Sequence, residues 1–415
     1  MSKYVIIGNS TAAAGCIEGI RSVDNSGEIT VVSGENHFVY SRPLISYYLE
    51  EKTDLQRMKY RPDDFYEKNK CNVLYGVKAE KIDKEKSEVY LDNGEKLSYE
   101  KLMIATGSSP FVPPFKGLDT VENKFSFMTI DDALAIEKTV DENSKVLIVG
   151  AGLIGLKCAE GLLEKVGKIS VCDLADRVLS SIFDDECAKI MQNHLEEKGI
   201  EFLLGDSAEE FNGNTAKMMS GKDVEFDVLI LAVGVRSNIA IAKEIGIDTN
   251  RAILVDNAMK TSLENIYSAG DCTEYVDFSS NSKKVMAILP NAYLQGNTAG
   301  KNMAGESAVF DNAIPMNSIG FFGLHAMSAG SYFDEKDGGK CYIEKGERHI
   351  KKLFVKDGVL SGFIIIGDVS KAGIYTNLIR NKTELSEIDF ETIKKSPTLF
   401  AFSKENRGKM LGGVV

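Results

Sequence analysis

With 415 residues, 43% of them hydrophobic and 27% charged, the chain can bury an ample core and is long enough for two to four domains. A formal net charge of −12 argues against nucleic acid or an anionic membrane as a partner. Seven cysteines at positions 16, 71, 158, 172, 187, 272 and 341 form no Cys-x-x-Cys, and the four histidines show no metal-ligand spacing. That excludes a disulfide framework and gives no metal site, and it reads as reduced, buried thiol in a cytoplasmic protein.

A strand is predicted from Tyr4, so no signal peptide is expected. The longest apolar stretch, around Val146–Leu163, is broken by glycines and Lys157 and is not expected to span a membrane. Tyr4-Val5-Ile6-Ile7 runs into Gly8-Asn9-Ser10-Thr11-Ala12-Ala13, a strand, a tight turn and a helix start. The next strand, Glu28–Val32, leads to Glu35, a candidate for ribose hydroxyls. An aromatic segment, His37–Tyr48, then contains Arg42-Pro43; the planar fork of Arg42 suits a pyrophosphate. Between Cys71 and Tyr99 short strands are expected, with a hairpin signal at Asp92-Asn93-Gly94. Leu102-Met103-Ile104 is a buried strand that ends in the small-residue turn Ala105-Thr106-Gly107.

The clearest motif is Lys145–Glu160. Four apolar residues, Val146 to Val149, enter Gly150-Ala151-Gly152-Leu153-Ile154-Gly155, a Gly-x-Gly-x-x-Gly after a strand and at a helix start. Gly150 makes the turn, Gly152 admits a pyrophosphate, and Gly155 lets helix and strand pack closely. The helix N-terminus adds unpaired N–H groups and a partial positive charge. A second strand, Ile169–Cys172, ends in Asp173 at the spacing of a ribose-binding acid.

Superposed on this stretch, Gly8 meets Gly150, Ser10 meets Gly152 and Ala13 meets Gly155. The strand-and-turn Leu102–Pro110 recurs as Leu229–Asn238, with Val233-Gly234 at the turn. The chain therefore reads as two similar dinucleotide folds. Near Thr261–Cys272 a strand ends in Gly270-Asp271, placing a carboxylate where a polyol would lie. Ala292–Gly305 reads as a helix, and beyond about residue 310 a hairpin at Asp357-Gly358 announces a mixed α+β domain.

Together these motifs resemble the pyridine nucleotide-disulfide oxidoreductases over essentially the whole chain. The resemblance implies an α/β protein with two Rossmann-like dinucleotide-binding domains, the NAD domain inserted in the FAD domain, and a C-terminal α+β interface-like domain. The implied boundaries are 1–110 and 239–310 for FAD, 111–238 for NAD(H) and 311–415 for the last domain. Gly8, Asn9, Ser10, Ala13, Glu35, Arg42, Pro43, Ala79, Ala105, Thr106, Gly107, Gly270 and Asp271 then fall to FAD. Gly150, Gly152, Leu153, Ile154, Gly155, Asp173, Val233 and Gly234 fall to NAD(H).

Departures from the pattern place the chain in a branch. Disulfide reductases of this family carry redox cysteines after the first helix or near residues 40–45, where this chain reads Tyr40-Ser41-Arg42-Pro43-Leu44. A thiolate relay needs a nucleophilic sulfur against the flavin. The segment instead resembles rubredoxin and ferredoxin reductases, the flavin domain of NADH-dependent nitrite reductase, and flavin subunits of the phenylglyoxylate dehydrogenase type. A lysine often found in ferredoxin reductases is Tyr47 here. Lys157 stands where the family usually has glutamate, close to where nicotinamide stacks on flavin, and is the candidate to raise the flavin potential. The expected activity is transfer of electrons from NADH through FAD to a rubredoxin-like or iron–sulfur carrier or a partner subunit, with NADH preferred and a homodimer possible by resemblance. Two alternatives are a disulfide or peroxide reductase using another cysteine, such as Cys272, and a flavin-dependent redox-sensing binding protein.

Overall fold

The computed structural model describes residues 2–411. Contacts divide them into two units, one of residues 2–174, 200–276 and 283–311, the other of 175–199, 277–282 and 312 onward.

At the centre of the first unit lies Ser2–Ile7, where Tyr4, Val5 and Ile6 are fully buried. A strand apolar on both faces suits the interior of a parallel sheet. It is flanked in parallel by Ile29–Ser33 and by the end of Lys96–Ile104, which also pairs in parallel with Ile266–Ser268. Outward from Ile29–Ser33 comes Cys71–Tyr75. On the other side Glu88–Leu91 and Ala79–Asp83 complete an antiparallel arm, and Gly94 takes φ +84° in the expected hairpin. The helices Thr11–Arg21 and Leu289–Met303 meet backbone to backbone: a Cβ on Gly15 or Gly296 would lie 2.3 or 2.0 Å from a carbonyl oxygen of the other helix.

The same unit holds a second sheet, all parallel, in the order Glu201–Leu204, Lys168–Asp173, Lys145–Val149, Val228–Leu231, Lys124–Phe125. In each sheet the glycine turn follows the carboxyl end of a central strand, the place where open α/β sheets bind ligands. The two repeated small-residue turns lead into short strands, Ser108–Pro110 and Val235–Ser237, that pair antiparallel with each other. The expected boundaries at 110/111 and 238/239 are next to these strands, and both lie inside this one unit.

The second unit is built on a five-stranded antiparallel sheet, ordered Met316–Phe321, Leu324–Gly330, Val359–Ile366, Ile350–Lys356, Lys340–Lys345. Asp357 and Gly358 turn its central hairpin with φ +51° and +79°. Phe363, Tyr375 and Leu378 form the heart of its core with the Ala372–Arg380 helix. Residues 175–199, expected with the nucleotide fold, group here. Lys352, 5% exposed, donates to Asp184 (2.7 Å) and Glu186 (2.6 Å) at the start of the Asp185–Glu197 helix. Among the described residues no helix is long and apolar enough to cross a membrane.

Candidate functional site

At the first loop Gly8 has φ +111°, and a Cβ there would lie 2.1 Å from the Ala105 carbonyl oxygen. Ser10 caps the following helix in extended conformation without a side-chain capping bond, so the helix amides stay available. Asn9 accepts from Tyr66 Oη at 2.6 Å, but its Nδ2 is buried without a partner, as is Thr11 Oγ1. Buried donors without acceptors are costly, and an anion laid on the helix N-terminus would satisfy them. The loop therefore fits a pyrophosphate. Ala13, fully buried, carries the Cβ that Gly155 lacks.

Gly270, at φ +85°, donates its N–H to the buried Gln295 (2.9 Å) and presents Asp271. Burial pushes the Asp271 carboxyl above its ordinary range, while the Ser108 hydroxyl at 3.1 Å and the charge of Arg42 oppose the shift. Ala105-Thr106-Gly107 is fastened by Asn238, whose Nδ2 donates to Thr106 O (2.9 Å) and whose carbonyl accepts from Thr106 Oγ1 (2.6 Å).

Glu35 and Arg42, each expected to face a coenzyme, are bound to one another: Glu35 accepts from Arg42 Nη2 and, at 2.7 Å, from Tyr40 Oη. Arg42 also donates to Met128 O at 3.1 Å. A carboxylate has lone pairs to spare for ribose hydroxyls, but this one arrives already oriented. Pro43 opens the Leu44–Leu49 helix, and Ala79 opens its strand half-buried against the core.

The second loop relies on backbone alone. Gly150 has φ +118°, and a Cβ there would meet Ala232 O at 2.3 Å; a Cβ on Gly155 would meet Gly150 O at 2.0 Å. A Cβ on Gly152 would meet no atom within 4 Å beyond its own chain neighbours and helix backbone. That open space admits a phosphate. Asp173 accepts from Ala151 N at 2.7 Å, which fixes its carboxylate beside the loop. Leu153 and Ile154 are half-buried in the first turn of the helix; Val233 is half-buried, and Gly234 turns at φ +113°. Lys157 donates to Glu160 Oε2 at 2.5 Å and lies 5.3 Å from the Tyr47 ring centroid.

Five of the seven cysteines are buried, Cys71 and Cys341 are half-buried, and all are free. Burial raises Cys71 to about 11 and Cys172 to about 12, and pushes the others up as well. Cys272 is fully buried, with Ala269 O and Ser268 Oγ at 3.4 Å. None of them is a poised thiolate. Ser108, Tyr66, Asn238 and Gln295 escaped the sequence reading. Only Ser108 and Asn238 carried a signal, by flanking the repeated turns.

Residues 2–296 match the model of the pyridine nucleotide-disulphide oxidoreductases. The chain belongs to that family. Residues 315–383 match the rubredoxin NAD+ reductase C-terminal domain. The chain is 33% identical over 398 residues to the epsilon subunit of NADH-dependent phenylglyoxylate dehydrogenase from Aromatoleum evansii, covering 93% of each. It is 27% identical to the NADH-rubredoxin oxidoreductase of Clostridium acetobutylicum, covering 89% of this chain and 92% of that one. A NAD-dependent persulfide reductase from A. fulgidus shares its fold with a TM-score of 0.85 and 26% identity, over 93% of this chain and 78% of that one. The protein is an FAD-dependent NADH oxidoreductase of this family.

Proposed function

We propose that the protein passes electrons from NADH to a small iron–sulfur or rubredoxin-like carrier, or to a partner subunit, with no thiol in the relay. The observation that carries this reading is the segment Tyr40-Ser41-Arg42-Pro43-Leu44. It opens the Leu44–Leu49 helix beside Asp271 with an arginine and no sulfur, while all seven cysteines are buried or half-buried. FAD, when bound, supplies acceptance of a hydride and its release as single electrons.

The chain's own residues hold and orient. Gly8, Asn9, Ser10 and Thr11 cradle the first pyrophosphate, and Asp271 is set to hold a polyol. The Gly150–Gly155 loop offers backbone N–H groups to the second, and Asp173 takes the adjacent ribose. A carboxylate there repels a 2′-phosphate, so NADH is preferred over NADPH. No acid or base is needed for hydride transfer; alignment and exclusion of water are.

Anaerobic titration with NADH tests the reading. One equivalent per flavin should bleach the protein completely, and the reduced protein should then reduce rubredoxin or ferredoxin far faster than it reduces disulfides. A requirement for two equivalents, with a long-wavelength thiolate band, would overturn it. Reoxidation by oxygen faster than by any carrier would replace the carrier with an oxidase function.

A further inference from the structure

Glu35 and Arg42, bound to one another, share a third partner. Tyr40, 6% exposed, stands against both. Its Oη lies 2.7 Å from Glu35 Oε2, 3.1 Å from Arg42 Nη1 and 3.2 Å from the Ile130 amide nitrogen. The last two are obligatory donors and take the lone pairs of the hydroxyl. Its single proton is left for the Glu35 carboxylate. Burial raises the phenol above its ordinary range, so that proton is held at neutral pH.

The hydroxyl is held in place from several sides. Ser41 N donates to Met58 O at 2.8 Å and Tyr60 N to Val39 O at 2.9 Å, one bond on each side of Tyr40. The Ile130 amide belongs to the first turn of the Ile130–Thr139 helix. Thr129 caps that helix on Asp132 N, and Tyr40 takes an amide that Thr129 leaves. Each Glu35 oxygen has two lone pairs and receives one bond, Oε1 from Arg42 and Oε2 from Tyr40. One acceptor site remains on each oxygen, and the side chain is 28% exposed, so both can be reached. Two adjacent acceptor sites match the vicinal hydroxyls of a ribose. Glu35 also follows the strand Ile29–Ser33, whose Val32 O accepts from Gly8 N at 2.8 Å, so it leaves the sheet beside the first glycine turn. Without the Tyr40 hydroxyl, the Arg42 fork is free to occupy both oxygens, and a diol would lose its acceptors.

We infer that Tyr40 is a positioning residue for the first coenzyme: its hydroxyl holds Glu35 so that one acceptor site on each carboxylate oxygen stays open to the adenosine ribose of FAD. The inference rests on FAD occupying the first loop. Tyr40 itself touches no coenzyme in this scheme; it acts through Glu35, and its removal is felt only by a ligand that carries the two hydroxyls.

The test is calorimetric titration of the coenzyme-free full chain with FAD and with its 2′,3′-dideoxyadenosine analogue, which lacks both ribose hydroxyls. The parent should prefer FAD by about tenfold or more. Tyr40→Phe should weaken FAD by about tenfold and the analogue by less than about threefold, so that the preference collapses. An equal loss for both ligands, as a loosened segment would produce, overturns the inference. So does a Tyr40→Phe variant that binds FAD like the parent, and so does a parent that binds both ligands equally. Should the Ile130 amide, left without its acceptor, keep Tyr40→Phe from folding, Ile130→Pro is added to it. Proline is tolerated at the first helical position and removes that amide. The double variant is then compared with Ile130→Pro alone: a collapsed preference supports the inference, and a retained one sinks it. Bleaching of the FAD-loaded parent by NADH is read separately, and it keeps the proposed function intact whichever way the two ligands are ranked.

Discussion

The two glycine loops are built to one plan and finished differently. Gly8 and Gly150 do the same work, with φ near +115° and the space of a Cβ taken by the carbonyl of Ala105 or Ala232. At the middle position the backbone makes no such demand. Ser10 and Gly152 both cap their helices in extended conformation, φ −128° and −81°. A glycine at 152 is therefore needed for room, not for its torsion angles. The first loop carries buried side-chain donors, Asn9 Nδ2 and Thr11 Oγ1, that find no acceptor in the chain. The second has Ala151 and Leu153 in the matching places and offers only backbone. On the proposed reading the first coenzyme is gripped at its pyrophosphate by side chains as well as backbone, and the second by backbone alone there, with Asp173 on its ribose. This matches a resident FAD and a visiting NADH.

The hardest way to break the pair is at the shared turn. Gly8→Val and Gly150→Val each force a β-branched residue into a left-handed conformation and against a carbonyl, at a cost of about 3 kcal/mol or more. Gly8→Val should lose FAD altogether. Gly150→Val should keep FAD near one per chain and lose bleaching by NADH. FAD content and anaerobic titration read both, and loss of FAD from both variants alike would erase the functional distinction between the loops.

A smaller effect is expected at the ribose acid. Asp173→Ala should raise the KM for NADH by about tenfold, leave FAD content unchanged and narrow the preference over NADPH, because the repelling carboxylate is gone. Smaller again is Gly152→Ser, which copies the first loop into the second. Nothing lies within 4 Å of the added Cβ, so thermal stability should hold while the KM for NADH rises a few-fold. A fall in Tm without a change in KM would show that the middle glycine serves the fold.

Both loops were legible in the sequence because their turns are backbone geometry at fixed spacing; the strand before each and the carboxylate that ends Lys168–Asp173 came with them. What was not legible is pairing between distant side chains. Glu35 and Arg42 read separately as coenzyme ligands, and nothing in their spacing says that they bind one another. The Thr106–Asn238 link joins positions 132 apart, and the Lys352–Asp184 bond joins positions 168 apart. The second of these helps draw residues 175–199 towards the C-terminal sheet, a partition that a strand–helix–strand pattern does not contain. Tyr47 and Lys157 were each visible as departures, but their contact exists only in the fold.

The finest test of the comparison concerns the sign of a stability change. In the absence of FAD the Thr11 hydroxyl is buried without a partner, so Thr11→Val, which keeps the shape, should stabilise the coenzyme-free protein by about 1 kcal/mol. If the FAD pyrophosphate supplies that hydroxyl with an acceptor, its loss should weaken FAD binding by up to about tenfold. Asp271 gives a parallel case in pH. Its folded carboxyl is raised by burial above the ordinary 3.8, so the folded state holds its proton longer than the unfolded chain does. Stability of the coenzyme-free protein then falls as pH rises from the unfolded value through the folded one. Asp271→Asn should flatten that fall while loosening FAD. Denaturant melts of coenzyme-free and FAD-loaded protein across pH 3–7 separate these effects. If Thr11→Val destabilises both forms equally, the hydroxyl serves the fold, and the two loops hold their coenzymes by backbone alike.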